Sequence, residues 1–281
     1  MPTATVRFHG SLNDFLPAAR RDLAIRFAFE GGPAIKDAIE ALGVPHPEVD
    51  SIMANGRPVG FGYRLRPDDD VEVFGLDRPG GPTAGPTAGP AEPAAEPAAP
   101  GLIPAALIPP RFVLDGHLGR LARYLRMLGF DARYDNRAAD ERLARLSADE
   151  NRILLTRDRG LLKRAVVRLG YLVRDDNPRR QLDEVMARYG LAPLAAPFSR
   201  CVRCNGLLEQ VDRSAVAERL AGEPRTLRYF DSFGLCADCG GVYWQGSHFE
   251  RMSRLVRQVV HDGPAIVENR PGGDARTEDE R

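Results

Sequence analysis

Lysine is almost missing from this chain. Lys36 and Lys163 are the only two, so nearly all of the 39 basic residues are arginine, and 39 Asp and Glu cancel them to no net charge. A neutral total gives no global pull toward nucleic acid or an anionic surface; any such pull must come from how charge is distributed. Cysteine is scarce too, four in 281 residues. That is too few for a disulfide-stapled secreted scaffold, and the four fall in two tight pairs whose spacing points to metal rather than oxidation. No apolar run approaches the roughly 18–20 residues that cross a bilayer, and the first twenty residues carry Arg7 and Asp14 with no apolar signal core. The expectation is a cytoplasmic chain without membrane contact. Aromatic residues are only 7%, but 43% hydrophobic content excludes a fibrous or wholly disordered protein and suits one to three small domains.

Proline, glycine and alanine concentrate in residues 78–110, which contain a short TAGP repeat. Such a stretch has few large apolar side chains to bury and is expected to act as a semi-extended linker between two independently folding parts. Residues 263–281, rich in Gly, Pro and charge, are expected to form a disordered tail. Before the linker, residues 1–77 alternate like strands at Thr5–His9 and Leu23–Phe29, show helical spacing at Ile35, Ala38, Ile39 and Leu42, then return to strand at Ile52–Ala54 and Val71–Phe74 around the turn Asn55-Gly56. The order ββαββ matches a β-grasp fold, and the segment resembles the ubiquitin-like sulfur carriers. Those chains end in an exposed Gly-Gly that is thiocarboxylated. Here Gly80-Gly81 runs on into Pro82, and a carboxyl group locked in a peptide bond cannot be activated, so the domain reads as a docking or regulatory module for a protein partner.

After the linker, residues 111–196 alternate strand and helix. Phe112–Leu114 ends at Asp115 and leads into a helix with Leu118, Leu121, Ala122, Leu125 and Leu128 on one face and Gly129 as its stop. Phe130–Tyr134 is a second strand, Asp140 is expected to cap the next helix, and Arg152–Thr156 leads into Arg157-Asp158. Gly170–Val173 and the amphipathic run from Pro178 complete the series. Such alternation implies a parallel sheet whose strand ends share one crevice. Asp115, Asp140 and Asp158 are then expected on one rim, where their mutual repulsion calls for a divalent cation. Oxygen-only ligands favour Mg²⁺ or Mn²⁺, which would activate water against a phosphodiester. Asp175 is a candidate fourth carboxylate. The more ordinary alternatives are helix caps for Asp140 and Asp158 and a salt bridge for Asp115. Residues 111–200 hold 19 basic against 12 acidic side chains, which favours a polyanion, with Arg120, Arg123, Arg126 and Arg157 as its phosphate contacts.

Cys201-Val-Arg-Cys204 and Cys236-Ala-Asp-Cys239, each followed by a Gly-containing turn, lie in residues 197–262. Four thiolates on two tight turns satisfy structural tetrahedral Zn²⁺ with no open position. A helix-like run is expected near Val211–Leu220, and Tyr243, Trp244 and Phe249 are expected to pack the ribbon or to stack on nucleotide bases.

With FVLDGHLGRLARYLRMLGFD, NRILLTRDRGLL, RCVRCNG and CADCGGVYWQGSHF in order, the chain from Arg111 to about His261 resembles the PIN-like ribonuclease domain of the Mut-seven C-terminal type with its zinc ribbon. Together with the β-grasp segment, it resembles bacterial proteins that join a ubiquitin-like module to that domain. The resemblance implies an α/β, PIN-like fold and metal-dependent RNA hydrolysis, with the acidic role on Asp115, Asp140 and Asp158 and the zinc role on Cys201, Cys204, Cys236 and Cys239. The alternative function is a noncatalytic RNA-binding adaptor that uses the zinc ribbon and the basic face.

Overall fold

The computed structural model describes residues 1–75 and 108–261. The linker, Gly80-Gly81 and the tail therefore lie outside the described residues.

The N-terminal part is a mixed five-stranded sheet in the order β2-β1-β5-β3-β4, built from β1 (Thr3–His9), β2 (Ile25–Ala28), β3 (Val49–Ala54), β4 (Arg57–Val59) and β5 (Asp70–Gly75). β1 and β5 pair in parallel at its centre, and the other pairings are antiparallel. Helix α1 (Ile35–Ala41) buries Ile35, Ala38 and Ile39. Three features go beyond the ββαββ order read from the sequence. The β1–β2 connection contains two 3-10 turns, Gly10–Phe15 and Ala18–Arg20; β4 is an added strand; and Glu48 is buried, at 2% exposure.

The second part is a four-stranded, wholly parallel sheet in the order β7-β6-β8-β9: β6 (Arg111–Leu114), β7 (Asp131–Tyr134), β8 (Ile153–Thr156) and β9 (Gly170–Leu172). Both faces are covered, so its strands read as continuous apolar runs rather than alternating ones. Val113 and Leu154 join a core with Leu143 and Ala144 of α3 (Asp140–Asp149) and with Leu161 and Leu162 of α4 (Arg159–Leu162). Phe112, Leu114, Ile153 and Leu155 face a second core, with α2 (Gly119–Met127) and α5 (Pro178–Tyr189). Gly129 ends the α2 segment at φ +92°, where a Cβ would come within 2.1 Å of Ala196 O, so glycine is required there. Asp140 is the first residue of α3, and Ala139 occupies its cap position without a side-chain bond; the expected Asp140 cap is not formed.

The cysteine-bearing part is a three-stranded antiparallel sheet, β10 (Leu208–Asp212), β11 (Ser232–Cys236) and β12 (Val242–Tyr243), with short helices α6 (Arg213–Val216) and α7 (Pro224–Tyr229). The expected helix near Val211–Leu220 therefore starts later, because Val211 pairs with Phe233 in the sheet. Helix α8 (Ser247–His261), not foreseen, returns Val256 and Val259 to the second core. The first core is shared in the same way: Leu12, Phe15 and Val44 of the N-terminal part belong to one cluster with Leu161, Leu162, Val167 and Leu172. The two parts joined by the linker are thus docked on each other.

Candidate functional site

In the order β7-β6-β8-β9 the chain turns one way from β6 and the other way from β8, so the topological switch lies between their carboxyl ends, where open α/β sheets hold ligands. Asp115 and Thr156 stand at those two ends. Asp115 is buried, at 6% exposure. Its Oδ1 accepts the His117 amide at 2.8 Å; its Oδ2 accepts the Arg157 amide at 3.0 Å and the Thr156 hydroxyl. The same hydroxyl accepts the Asp158 amide at 2.9 Å. One buried threonine therefore ties the first acidic residue to the backbone of the third. Asp158 Oδ1 accepts the Gly160 amide at 2.6 Å and caps α4, so its ordinary role is real, while Oδ2 has no hydrogen-bond partner among the described residues.

Beside these residues opens a cleft of about 730 Å³ lined by Gly116, His117, Gly119, Arg120, Arg123, Tyr134, Arg157, Asp158, Asp176, Pro178 and Gln181; Asp158 is among its lining residues and the buried Asp115 is not. Arg120 and Arg123 project from α2 into it with no carboxylate partner among the described residues. Arg157 instead pairs with Asp176 and donates to Asp175 O at 3.3 Å. Asp140 does not line the cleft; it is exposed, 3.9 Å from the Arg164 guanidinium. Asp175 accepts Arg180 Nε at 2.6 Å and the Asn177 amide at 2.7 Å. Burial opposes ionisation of its carboxyl, but the Arg180 bond and these amides outweigh it and hold the pKa below the usual carboxylate value. Asp175, expected as a candidate fourth carboxylate, thus does turn chemistry instead, and its neighbour Asp176 lines the cleft. Thr156, His117, Tyr134 and Gln181 were missed. Only Thr156 left a signal, a hydroxyl inside an otherwise apolar strand that must find a partner once buried.

Arg126, expected on the phosphate-facing side, is buried at 4% exposure. Its Nε donates to Ala132 O at 2.8 Å and its guanidinium reaches Arg203 O at 2.8 Å and Val202 O at 3.3 Å. It fastens the first cysteine turn to the parallel sheet. Burial pulls its pKa below the usual range, against the opposing pull of the Cys204 and Cys201 sulfurs.

The four cysteines converge, with all Sγ atoms within 4.8 Å of one another, and among the described residues they form the only metal-competent group of three or more His, Cys, Asp or Glu. Cys201 and Cys239 lie 3.6 Å apart and Cys204 and Cys236 3.4 Å, close to the edge of about 3.8 Å that Zn–S bonds of about 2.3 Å give a tetrahedron. Gly206 is needed beside them, since a Cβ there would sit 3.0 Å from Cys236 Sγ. Burial pushes the Cys201 thiol up, but the Tyr243 hydroxyl at 3.0 Å and the knuckle amides bring it down to about 6. Cys204 is pushed up to about 12 by burial and by the neighbouring sulfurs. Four sulfurs this close do not all ionise without a cation, so the donor set fits zinc. Phe249 packs on Phe198 with ring centroids 4.6 Å apart, and Tyr243 and Trp244 line the same hollow.

A parallel α/β sheet with acidic residues at its switch point, a cysteine ribbon on one side and a β-grasp domain on the other defines a PIN-like nuclease domain fused to a ubiquitin-like module. Residues 110–256 match the family model for the Mut7-C RNAse domain and residues 1–79 that for Mut7-C ubiquitin. The chain belongs to the Mut7-C RNAse domain family and carries the ubiquitin-like domain that goes with it. That membership gives it a nuclease-type hydrolase character at the coarse level. No curated protein and no solved structure matches the chain. No helix among the described residues is long and apolar enough to cross a membrane.

Proposed function

We propose that the rim cleft is a metal-dependent ribonuclease centre in which Asp115 and Asp158 provide the acidic floor and Arg120 and Arg123 hold the RNA phosphates. The observation that carries this reading is the Thr156 hydroxyl, which joins the Asp115 carboxylate to the Asp158 backbone beside a cleft where Arg120 and Arg123 have no carboxylate partner among the described residues. Asp115 Oδ1 takes one hydrogen bond and keeps acceptor capacity, and Asp158 Oδ2 is available. Two carboxylates suffice for a hydrated Mg²⁺ or Mn²⁺, which takes its remaining ligands from water and substrate. When bound, such an ion supplies Lewis acidity and an activated water for attack on phosphorus. The protein's own part is to hold Asp115 rigid through three donors, to orient the phosphate with Arg120 and Arg123, and to pre-set Arg157 through Asp176. Asp140 enters as a third acidic residue of weaker effect, because it is engaged with Arg164 outside the cleft. The four cysteines hold a structural Zn²⁺.

The test is cleavage of labelled RNA with and without Mn²⁺. Asp115→Asn and Asp158→Asn should lower kcat by at least about a hundredfold, as loss of a transition-state charge partner does, and Asp140→Asn by less than tenfold. Cleavage that persists in chelator, or is indifferent to Asp158→Asn, overturns the reading. The placement of Asp140 favours the second reading, a noncatalytic RNA-binding adaptor. It predicts salt-sensitive RNA binding that survives loss of all three aspartates, without turnover.

A further inference from the structure

Helix α4 is only four residues long, Arg159–Leu162, and its N-cap is Asp158. One turn of helix does not hold its own position, since nucleation costs more than so few hydrogen bonds return; what fixes it must come from its neighbours. Its inner face rests on β8, β9 and α3 of its own domain, and both of its ends are held by the ubiquitin-like domain. At the start of α4, Arg159 donates to Asp14 O and Phe15 O, both at 3.2 Å, and its guanidinium lies 5.1 Å from the centroid of the Phe15 ring. At its end, Lys163 Nζ donates to Glu40 O at 2.9 Å. Beyond it, the His46 ring donates from Nε2 to Val167 O at 2.7 Å, and its Nδ1 lies 2.6 Å from Glu40 Oε1. Leu161 and Leu162 insert between the domains, in the same core as Leu12 and Val44.

We infer that the ubiquitin-like domain is a built-in clamp on the nuclease-like domain: it grips α4 at both ends, with Arg159 as the positioning residue that sets Asp158 against Asp115. The domain thus works in cis as part of the site rather than as a free recruitment module. The inference rests on the proposed role of Asp158, but its geometric half stands apart from that role, and the experiment separates the two.

The experiment uses the full chain. In Arg159→Ala, kcat for labelled RNA should fall between about tenfold and a hundredfold, the scale of a misplaced catalytic group. KM for RNA should stay within twofold, and the Mn²⁺ concentration for half-maximal rate should rise. Arg159→Lys, which keeps a donor for one of the two carbonyls, should recover part of the loss. In parallel, hydrogen exchange at the Leu162 and Lys163 amides, which donate to Asp158 O and Arg159 O, should quicken in Arg159→Ala while Ala132 on the far edge of the sheet is unchanged. Unaltered exchange at Leu162 and Lys163 overturns the clamp whatever the activity. Quickened exchange with unchanged kcat and Mn²⁺ dependence overturns the link to Asp158. If the wild-type chain cleaves nothing, the ribonuclease reading falls, and the exchange measurement alone decides whether α4 is held from the other domain.

Discussion

The two edges of the parallel sheet are closed by different means. At β7, Asn205 in the first cysteine turn accepts the Ala132 amide at 2.9 Å and donates to Asp131 at 2.7 Å. At β9, Glu48 of the ubiquitin-like domain accepts the Leu172 amide at 2.6 Å. Both devices place one side-chain oxygen on an edge amide that would otherwise offer itself to a foreign strand. The first closure is neutral and is set by a metal-competent turn, with Asn205 itself at φ +78°. The second is a carboxyl group 124 residues away in sequence, buried, and met by Arg174 at 3.6 Å. One edge is thus rigid because a local turn is fixed; the other holds only while two domains stay docked.

The largest effect should follow from breaking the metal end of this comparison. In Cys236→Ser, or under strong chelation, the ribbon should lose its order, because structural zinc supplies on the order of 10 kcal/mol or more to small Cys-ligated units. Hydrogen exchange should rise throughout β10 and β11 and at Ala132, while Leu172 stays protected. Loss of both edges together would mean that they are not independent. Next in size is Asp131→Ala. Arg152, 4% exposed, donates to both Asp131 oxygens at 2.8 and 3.0 Å; Glu150 Oε2 stays paired with its Nε at 2.7 Å, so the loss should fall below the roughly 3–5 kcal/mol of a buried ion stripped of every partner. Chemical denaturation should register that loss, and Asp131→Asn should fall between it and wild type.

The sequence made the cysteine turns legible, though not their closure of the β7 edge, and left the β9 closure invisible, for a physical reason. CxxC spacing is a local constraint, so Cys201, Cys204, Cys236 and Cys239 could be read directly, and strands running into Asp115 and Asp158 follow from short apolar runs before a carboxylate. Glu48, His46 and Arg159 carry no local pattern: each looks like a solvated charge until a surface 100 or more residues away arrives. Arg126 failed for the same reason. It lies off the apolar stripe of α2, which reads as solvent-facing, yet its partners are carbonyls of a turn 76 and 77 residues later. Asp140 was placed by topology alone, which gives the rim but not the direction of the side chain.

The smallest effect is also the one that separates the two edges most sharply, because their carboxyl groups respond to pH with opposite sign. Burial works against ionisation of Asp131, but the Arg152 and Asn205 hydrogen bonds prevail and hold its pKa below the usual 3.8. Its stabilisation is therefore present above about pH 4 and lost as pH falls through the folded-state value. Burial dominates at Glu48 and keeps its pKa above the usual 4.5, against the pull of Arg174, the Leu172 amide and Arg188, with Glu184 adding to the rise. Its contribution is full below about pH 4.5 and declines as pH rises through the folded-state value. Glu48→Gln keeps an oxygen for the Leu172 amide and removes the buried charge, at the loss of the Arg174 ion pair. Its stability at neutral pH should lie within about 1 kcal/mol of wild type, since a neutral isostere of a buried ionised group exchanges one cost for another. The protection of Leu172, taken relative to intrinsic exchange at each pH, should then lose its pH dependence while that of Ala132 keeps its own. A Glu48→Gln chain whose Leu172 amide still loosens as pH rises would place the titrating group elsewhere and remove the asymmetry between the edges.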